Sequence, residues 1–326
     1  MLKISTTPHL QSSVDTRRIM LDVVIALLPA ALAAVLFFGF NALVVMAASV
    51  AACVFFEYAA CRFWFKSGNT TRDFSAVITG LLLAFNLPSS MPVGMIVLGA
   101  FMAIVVAKLC YGGLGKNIFN PALIGRVFLF ISFPVQMTQW PKPAFLKFFD
   151  TDVQTAATTL GIIKHMDAAT SATVAGGKLP SYYDMFVGNV GGCIGEVSAL
   201  ALLLGLAYLL WRRVITWHIP FYYAGTVFVI TGVLWLATGD IRYDPLTHLL
   251  SGGLLLGAVF MATDYTTSPM TLKGQVLYAV LCGMLTVVIR LYSAYPEGVS
   301  FAILIMNAFV PLIDKYVHGR VFGQGR

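Results

Sequence analysis

Charge is what this chain has least of. Asp, Glu, Lys and Arg make up 11% of its 326 residues, while 59% are hydrophobic and the mean hydropathy is +0.84. A soluble fold of that length has no core large enough to hide so much apolar surface, and near-charge-free runs of spanning length recur along the chain. That combination points away from a soluble enzyme and toward a polytopic helical membrane protein. Strand-period alternation is missing too, which argues against an outer-membrane barrel.

Motifs that carry chemistry by themselves are equally scarce. The five cysteines (Cys53, Cys61, Cys110, Cys193 and Cys282) lie in or at the ends of apolar segments and form no CxxC pair. They indicate neither a disulfide framework nor a self-contained metal site, and read as small buried hydrophobes. The five histidines show no HxH, HExxH or i,i+4 pairing, so no zinc or haem-pair signature is present. Nucleophile elbows and paired catalytic carboxylates are missing as well. Gly112-Gly113-Leu114-Gly115-Lys116-Asn117 lacks phosphate-loop spacing and follows no strand, so it reads as a cytoplasmic turn. No catalytic residue and no metal ligand is expected; any chemistry here needs a supplied cofactor.

What the chain does have is apolar segments. Ten are expected, at about 19–38, 42–61, 74–87, 92–109, 121–133, 188–211, 219–238, 246–263, 274–291 and 299–313. They form a single membrane domain over 1–326: a first half (19–133), a long polar loop (134–187) and a second half (188–316). The net charge of +7 builds no nucleic-acid patch, because the basic residues recur at the ends of apolar segments, next to the bilayer. With the N-terminus inside, most Lys and Arg fall on cytoplasmic segments, while the short outer loops hold only Arg242 and Arg290. Both termini are therefore expected in the cytoplasm, and the 134–187 loop outside.

The stretch 73–84 is echoed by 249–258, and each is followed by a Pro-containing stretch, a longer span and a short Asn-bearing segment (Asn120, Asn307). Halves of five spans are odd-numbered, so the two copies would be inverted, as in many transport proteins with broken helices near the midplane. Ionisable residues in or beside spans are costly and few: Asp22, Glu57, Arg126, Glu196 and Asp264. Asp22, Glu57, Glu196 and Asp264 are candidates for an ion pathway. Glu196 follows Gly191, Gly192 and Gly195, which places it at a packed helix interface, where an arginine partner and an ion-pathway role are both open.

The polar loop contains Asp167-Ala168-Ala169-Thr170-Ser171-Ala172-Thr173, a run of small residues and hydroxyls. Taken alone it is an ordinary Ser/Thr turn. The wider sequence resembles the D subunit of bacterial Rnf complexes and, more distantly, the B subunit of sodium-translocating NADH:quinone reductases. The residues that carry the resemblance run along the whole chain. They are Ile19-Met20-Leu21-Asp22-Val23 with Leu28-Pro29-Ala30, Thr79-Gly80-Leu81-Leu82-Leu83 before Leu87-Pro88, and Gly112 to Asn117 with Phe119-Asn120-Pro121-Ala122. Gly195-Glu196-Val197-Ser198, Met261-Ala262-Thr263-Asp264 and Tyr295-Pro296-Glu297-Gly298 complete the series.

The resemblance implies FMN joined by a phosphodiester to Thr173, installed by a flavin transferase that recognises Asp167 and Thr170-Ser171-Ala172. Ser171 stands where many members have Gly. It further implies a second, non-covalent flavin such as riboflavin, and inverted five-helix repeats similar to urea and ammonium channels. The implied setting is the bacterial inner membrane, with the A, B, C, E and G subunits of an Rnf complex as partners. Electrons would pass between reduced ferredoxin and NAD, coupled to Na⁺ or H⁺ movement. The alternatives are the quinone-reductase B subunit, which typically has a longer N-terminal extension than the roughly eighteen residues before the first span here, and a solute channel or transporter of the same helical fold.

Overall fold

The computed structural model describes residues 15–64, 71–143, 145, 157–164, 179–196, 198–293 and 297–317. The first helix, α1 (Thr16–Ala59), has 44 residues. Straight, it would be roughly 66 Å long, more than twice a bilayer's apolar thickness. It does not run straight: Gly39 at φ 65, ψ −148 breaks the helical path and separates 16–38 from 40–59. A side chain at that φ is strained, which is the reason for glycine there.

Helix α2 (Ser75–Phe85) crosses the second half of α1 at close range. A Cβ on Gly80 would lie 2.7 Å from the Val50 Cα, and Ser49 Oγ donates to the Gly80 carbonyl at 2.8 Å. Small residues at such crossings let backbones approach where lipid supplies no hydrophobic drive. Pro88 cannot continue the helix, so α2 ends at Asn86, too short to span. The depth it leaves is filled from the other half of the chain. Ile194 N–H donates to the Leu87 carbonyl at 3.0 Å and Gly195 N–H to the Phe85 carbonyl at 2.9 Å. These bonds satisfy carbonyls that lipid could not. The segment expected as a span over 188–211 is accordingly helical only over Ala199–Trp211, because its glycine-rich start runs in turns and bends that make this contact.

Helix α3 (Val93–Phe101) continues as a π-helical turn, Met102–Leu109, and α4 (Pro121–Ser132) starts at the Asn120 cap, whose side chain accepts from the Ala122 N–H at 3.1 Å. Short helices α5 (Pro134–Met137), α6 (Thr159–Lys164) and α7 (Tyr182–Val187) belong to the polar segment. After α8 (Ala199–Trp211) comes α9 (His218–Thr238), a full-length helix.

The expected span at 246–263 is broken in two. Helix α10 (Pro245–Leu250) stops, Gly252 and Gly253 take left-handed φ values of 69 and 65, and α11 (Leu254–Leu256) resumes into a π turn, Gly257–Met261. Helices α12 (Leu272–Tyr292) and α13 (Val299–Tyr316) close the bundle. Tyr223 on α9 meets Thr286 on α12 at 2.7 Å between hydroxyls.

Among the described residues, four helical stretches are long and apolar enough to cross a membrane: Thr16–Trp64, His218–Thr238, Leu272–Tyr292 and Val299–Tyr316. Four shorter apolar ones accompany them, at Ser75–Phe85, Val93–Leu109, Pro121–Ser132 and Ala199–Trp211. Leu32, Phe55, Phe221, Val229 and Leu236 stay exposed on the outside of the bundle, which suits a surface solvated by lipid. The chain is an all-helical, multi-pass membrane protein.

Candidate functional site

The interruptions of α2 and of the α10–α11 pair bring a charged cluster into the interior. Arg126 lies inside α4, a turn and a half from its cap, and is 5% exposed. Its Nη1 donates to Asn86 Oδ1 at the end of α2, and its Nη2 to the carboxylate of Glu297, just ahead of α13. The same Nη2 lies 3.6 Å from Cys193 Sγ and 3.7 Å from Glu196 Oε1. Cys193 in turn donates to the Asn86 carbonyl at 3.4 Å. The glycine-rich 188–196 stretch therefore carries both Cys193 and Glu196 against the end of α2.

Charge in this cluster is unevenly placed. Two carboxylates, Glu196 and Glu297, share one guanidinium, and Glu196 Oε1 has no hydrogen-bond partner. A Cβ on Gly253 would sit 2.7 Å from that oxygen, so the break between α10 and α11 makes the space the carboxylate occupies. A cleft of about 410 Å³, lined by Thr158, Met185, Val190, Ser251, Glu196 and Glu297, leads to it. Arg290 acts on both carboxylates through space from beyond ion-pair distance, so the second positive charge of the cluster sits farther off than Arg126. Ligand atoms of Cys193, Glu196 and Glu297 lie within 4.8 Å of one another. The guanidinium in the same cluster opposes a divalent ion there by like-charge repulsion.

A second polar group sits elsewhere in the first half. Lys108 Nζ meets Glu57 at 2.8 Å and the Ser75 hydroxyl at 2.7 Å, with both charged side chains fully buried. Lys108 also faces a cavity of about 790 Å³, which is walled mainly by apolar residues such as Ile19, Leu82, Leu209 and Phe260. Asn117, Asn120 and Asp264 supply polar groups on its lining. Asp264 is held by the hydroxyls of Thr266 at 3.1 Å and Thr267 at 3.4 Å, and Asn120 Nδ2 donates to the Met261 carbonyl at 3.3 Å.

Of the residues singled out in the sequence, Glu196 and Arg126 come together. Glu57 and Asp264 line or adjoin the large cavity, and Asp22 is separate, bound by Tyr208 Oη at 3.0 Å and Arg212 Nη2 at 3.1 Å. Asp167, Thr170, Ser171, Ala172 and Thr173 lie outside the described residues.

Sequence reasoning missed Glu297, Asn86 and Lys108 as site members. Glu297 sits in the Tyr295–Gly298 run and Asn86 just before Leu87-Pro88, so both stood beside visible signals. Lys108 looked like a cytoplasmic flank, and Arg290 like an outer-loop charge. The fold buries both, because each reaches inward from a helix end.

The NQR2, RnfD, RnfE family model matches residues 3–323. The chain is 44% identical over 324 residues to the D subunit of the Na(+)-translocating ferredoxin:NAD(+) oxidoreductase complex of Acetobacterium woodii, covering 99% of this chain and 95% of that one. It is also 44% identical over 326 residues to the D subunit of the proton-translocating ferredoxin:NAD(+) oxidoreductase complex of Clostridium ljungdahlii, covering 99% and 96%. The D subunit of the ion-translocating oxidoreductase complex of Escherichia coli O127:H6 is 38% identical over 347 residues, covering 99% and 98%.

Proposed function

Because this chain belongs to the NQR2, RnfD, RnfE family, we propose that it is the D-type membrane subunit of an Rnf-type complex, carrying electrons by way of FMN esterified to Thr173. The observation that carries this reading is likeness along essentially the full length of proteins named for ferredoxin:NAD(+) oxidoreduction. Relatives of equal identity are named for Na⁺ and for protons, so similarity does not select the coupling ion. The remaining subunits of such a complex are the partners, and ferredoxin and NAD chemistry belongs to them, since this chain has no Fe–S or dinucleotide motif.

Several features of the chain support the finer reading. Asp167 and Thr170-Ser171-Ala172-Thr173 match the acceptor pattern of the family, in a loop that charge counting puts outside the membrane, where a flavin transferase can reach a hydroxyl. A covalent link also removes the problem of retaining a dissociable anion at a membrane surface.

For a second, non-covalent flavin, the lining of the cleft beside Lys108 suits the chemistry of an isoalloxazine ring. Its apolar walls suit the ring faces, and Asn117 and Asn120 offer amides for the polar edge. The flavins supply the electron chemistry when bound, while these side chains orient the ring and keep water out.

For ion movement, the cluster of Arg126, Glu196 and Glu297 is the candidate site, because it gathers two buried carboxylates around one guanidinium at ion-pair distance. Two inverted five-helix repeats are supported by the paired interruptions at 86–88 and 251–253, both facing that cluster. They are also supported by Asn307, which in the amide orientation that satisfies its neighbours accepts from the Asn120 N–H at 3.2 Å.

The test is in-gel flavin fluorescence of the denatured full-length protein, made with its flavin transferase. A fluorescent band that disappears in Thr173→Ala is expected; no band, or one that survives the substitution, sinks the Thr173 assignment.

A further inference from the structure

Arg290, in the last turn of α12, is 4% exposed and has no carboxylate at ion-pair distance among the described residues. Its hydrogen bonds go to backbone instead. Nη1 donates to the His248 carbonyl at 2.6 Å, and Nη2 to those of Ser251 at 3.0 Å and Gly252 at 3.1 Å. These carbonyls belong to the end of α10 and the break that follows it, and lipid could not satisfy them. The guanidinium meets their partial negative charge and fixes the path of the chain between α10 and α11.

The break touches both charges. A Cβ on Gly252 would lie 2.8 Å from Arg290 Nη2, and one on Gly253 would lie 2.7 Å from Glu196 Oε1. Consecutive glycines at left-handed φ thus meet the guanidinium and the carboxylate in turn, where any side chain would push one of them away. Arg290 acts on Glu196 and on Glu297 through space, without contact. The groups that face Glu196 are therefore Glu297, Arg126, Arg290 and the Cys193 thiol. Among them the two guanidinium groups match the two carboxylates in number.

We propose that Arg290 is a positioning residue for Glu196: it pins the Gly252-Gly253 break against which that carboxylate is seated, and it supplies the second positive charge of the cluster from beyond contact. A guanidinium bonded directly to Glu196 would occupy its oxygens. Held on carbonyls, Arg290 offsets the buried negative charge through its field, while Oε1 keeps no partner and the side chain faces the cleft lined by Thr158, Ser251 and Glu297. Arg126 cannot take over this task, because its Nη2 is bonded to Glu297. The inference deepens the ion-movement reading of this cluster and rests on it only for the effect on transport.

The experiment is dicyclohexylcarbodiimide labelling of the full-length protein in detergent, since this reagent attacks a carboxyl group only in its protonated form. Peptide mass spectrometry reads the fraction labelled at Glu196 as pH is raised at constant ionic strength, and thermal unfolding checks the fold of each variant. Arg290→Gln removes a positive charge, which favours the protonated carboxyl. It should raise the pH of half-maximal labelling by about one unit or more, a tenfold change in proton affinity. Arg290→Lys keeps the charge but loses the fork, so it should lower Tm and move that midpoint less than half as far. If Arg290→Gln does not fold, the same shift is read between Glu297→Gln and Glu297→Gln with Arg290→Gln, where the positive charge leaves together with a negative one.

A midpoint that Arg290→Gln leaves unchanged in a folded protein overturns the proposal, and so does the absence of labelling at Glu196 at every pH. An equal shift in Arg290→Lys also overturns it, because the charge would then not be the cause. Ion uptake into proteoliposomes holding the whole complex is scored separately. Undiminished uptake in Glu196→Gln would sink the ion-movement reading and leave the midpoint shift standing, so the two failures are told apart.

Discussion

Arg126 lies at ion-pair distance from two carboxylates, and the two are not held alike. Glu297 takes a direct bond from Nη2, whereas Glu196 Oε1 stands 3.7 Å away without a hydrogen bond. Removing the guanidinium leaves both carboxylates buried and unpaired, so Arg126→Gln should cost about 3–5 kcal/mol of stability, the range for breaking a buried pair. Glu196→Gln removes the carboxylate that Arg126 does not hydrogen-bond and should shift stability by less than about 1 kcal/mol while abolishing ion movement coupled to electron transfer. Thermal unfolding in detergent, with ion uptake into proteoliposomes holding the whole complex, reads both. An Arg126→Gln protein as stable as wild type would show that the cluster is not charge-coupled. From the sequence, Arg126 and Glu196 were visible as rare intramembrane charges; Glu297 was visible only as part of a Pro-Glu-Gly turn. No spacing rule links positions so far apart in the chain.

At the scale of elements, proline and glycine decide where helices stop. Pro88 ends α2, Gly39 breaks α1, and Gly252 with Gly253 breaks the 245–261 pair. The stops near Gly39 and Pro88 were legible, since separate or short Gly- and Pro-punctuated apolar segments announce them, whereas 246–263 reads as one span and its break at Gly252–Gly253 was not. The filling of the gap beyond α2 by 193–196 was not legible, because a glycine-rich apolar run reads equally well as the start of a helix.

Close helix crossings give a graded test. Gly80→Ala sets a methyl 2.7 Å from the Val50 backbone, which cannot yield as a side-chain tip can, and should destabilise by about 1–3 kcal/mol. Gly94, in α3, has nothing within 4 Å of a Cβ, and Gly94→Ala should be neutral or stabilise by about 0.5–1 kcal/mol through helix propensity. Thermal unfolding of both variants in detergent separates them. Equal effects would mean that the α1–α2 crossing is looser than its geometry.

At the scale of the whole molecule, the distribution of Lys and Arg predicts orientation. A periplasmic reporter, such as alkaline phosphatase, inserted within 134–187 should be active, and one fused at the C-terminus inactive. The reverse pattern would invert the topology and remove the loop from an extracytoplasmic flavin transferase.

By itself the sequence determined that this is a many-helix membrane protein, that some of its helices are short, and that one polar loop stands apart. Those properties follow from local chemistry: apolar run length, proline geometry and the cost of charge in lipid. Only the tertiary structure decided which rare charges meet. It joined Arg126 to Glu297 and Glu196, set Lys108 on Glu57, and left Arg290 among backbone carbonyls. Electrostatic partnership depends on distance through space, and the folding of two distant halves against each other's broken helices sets those distances.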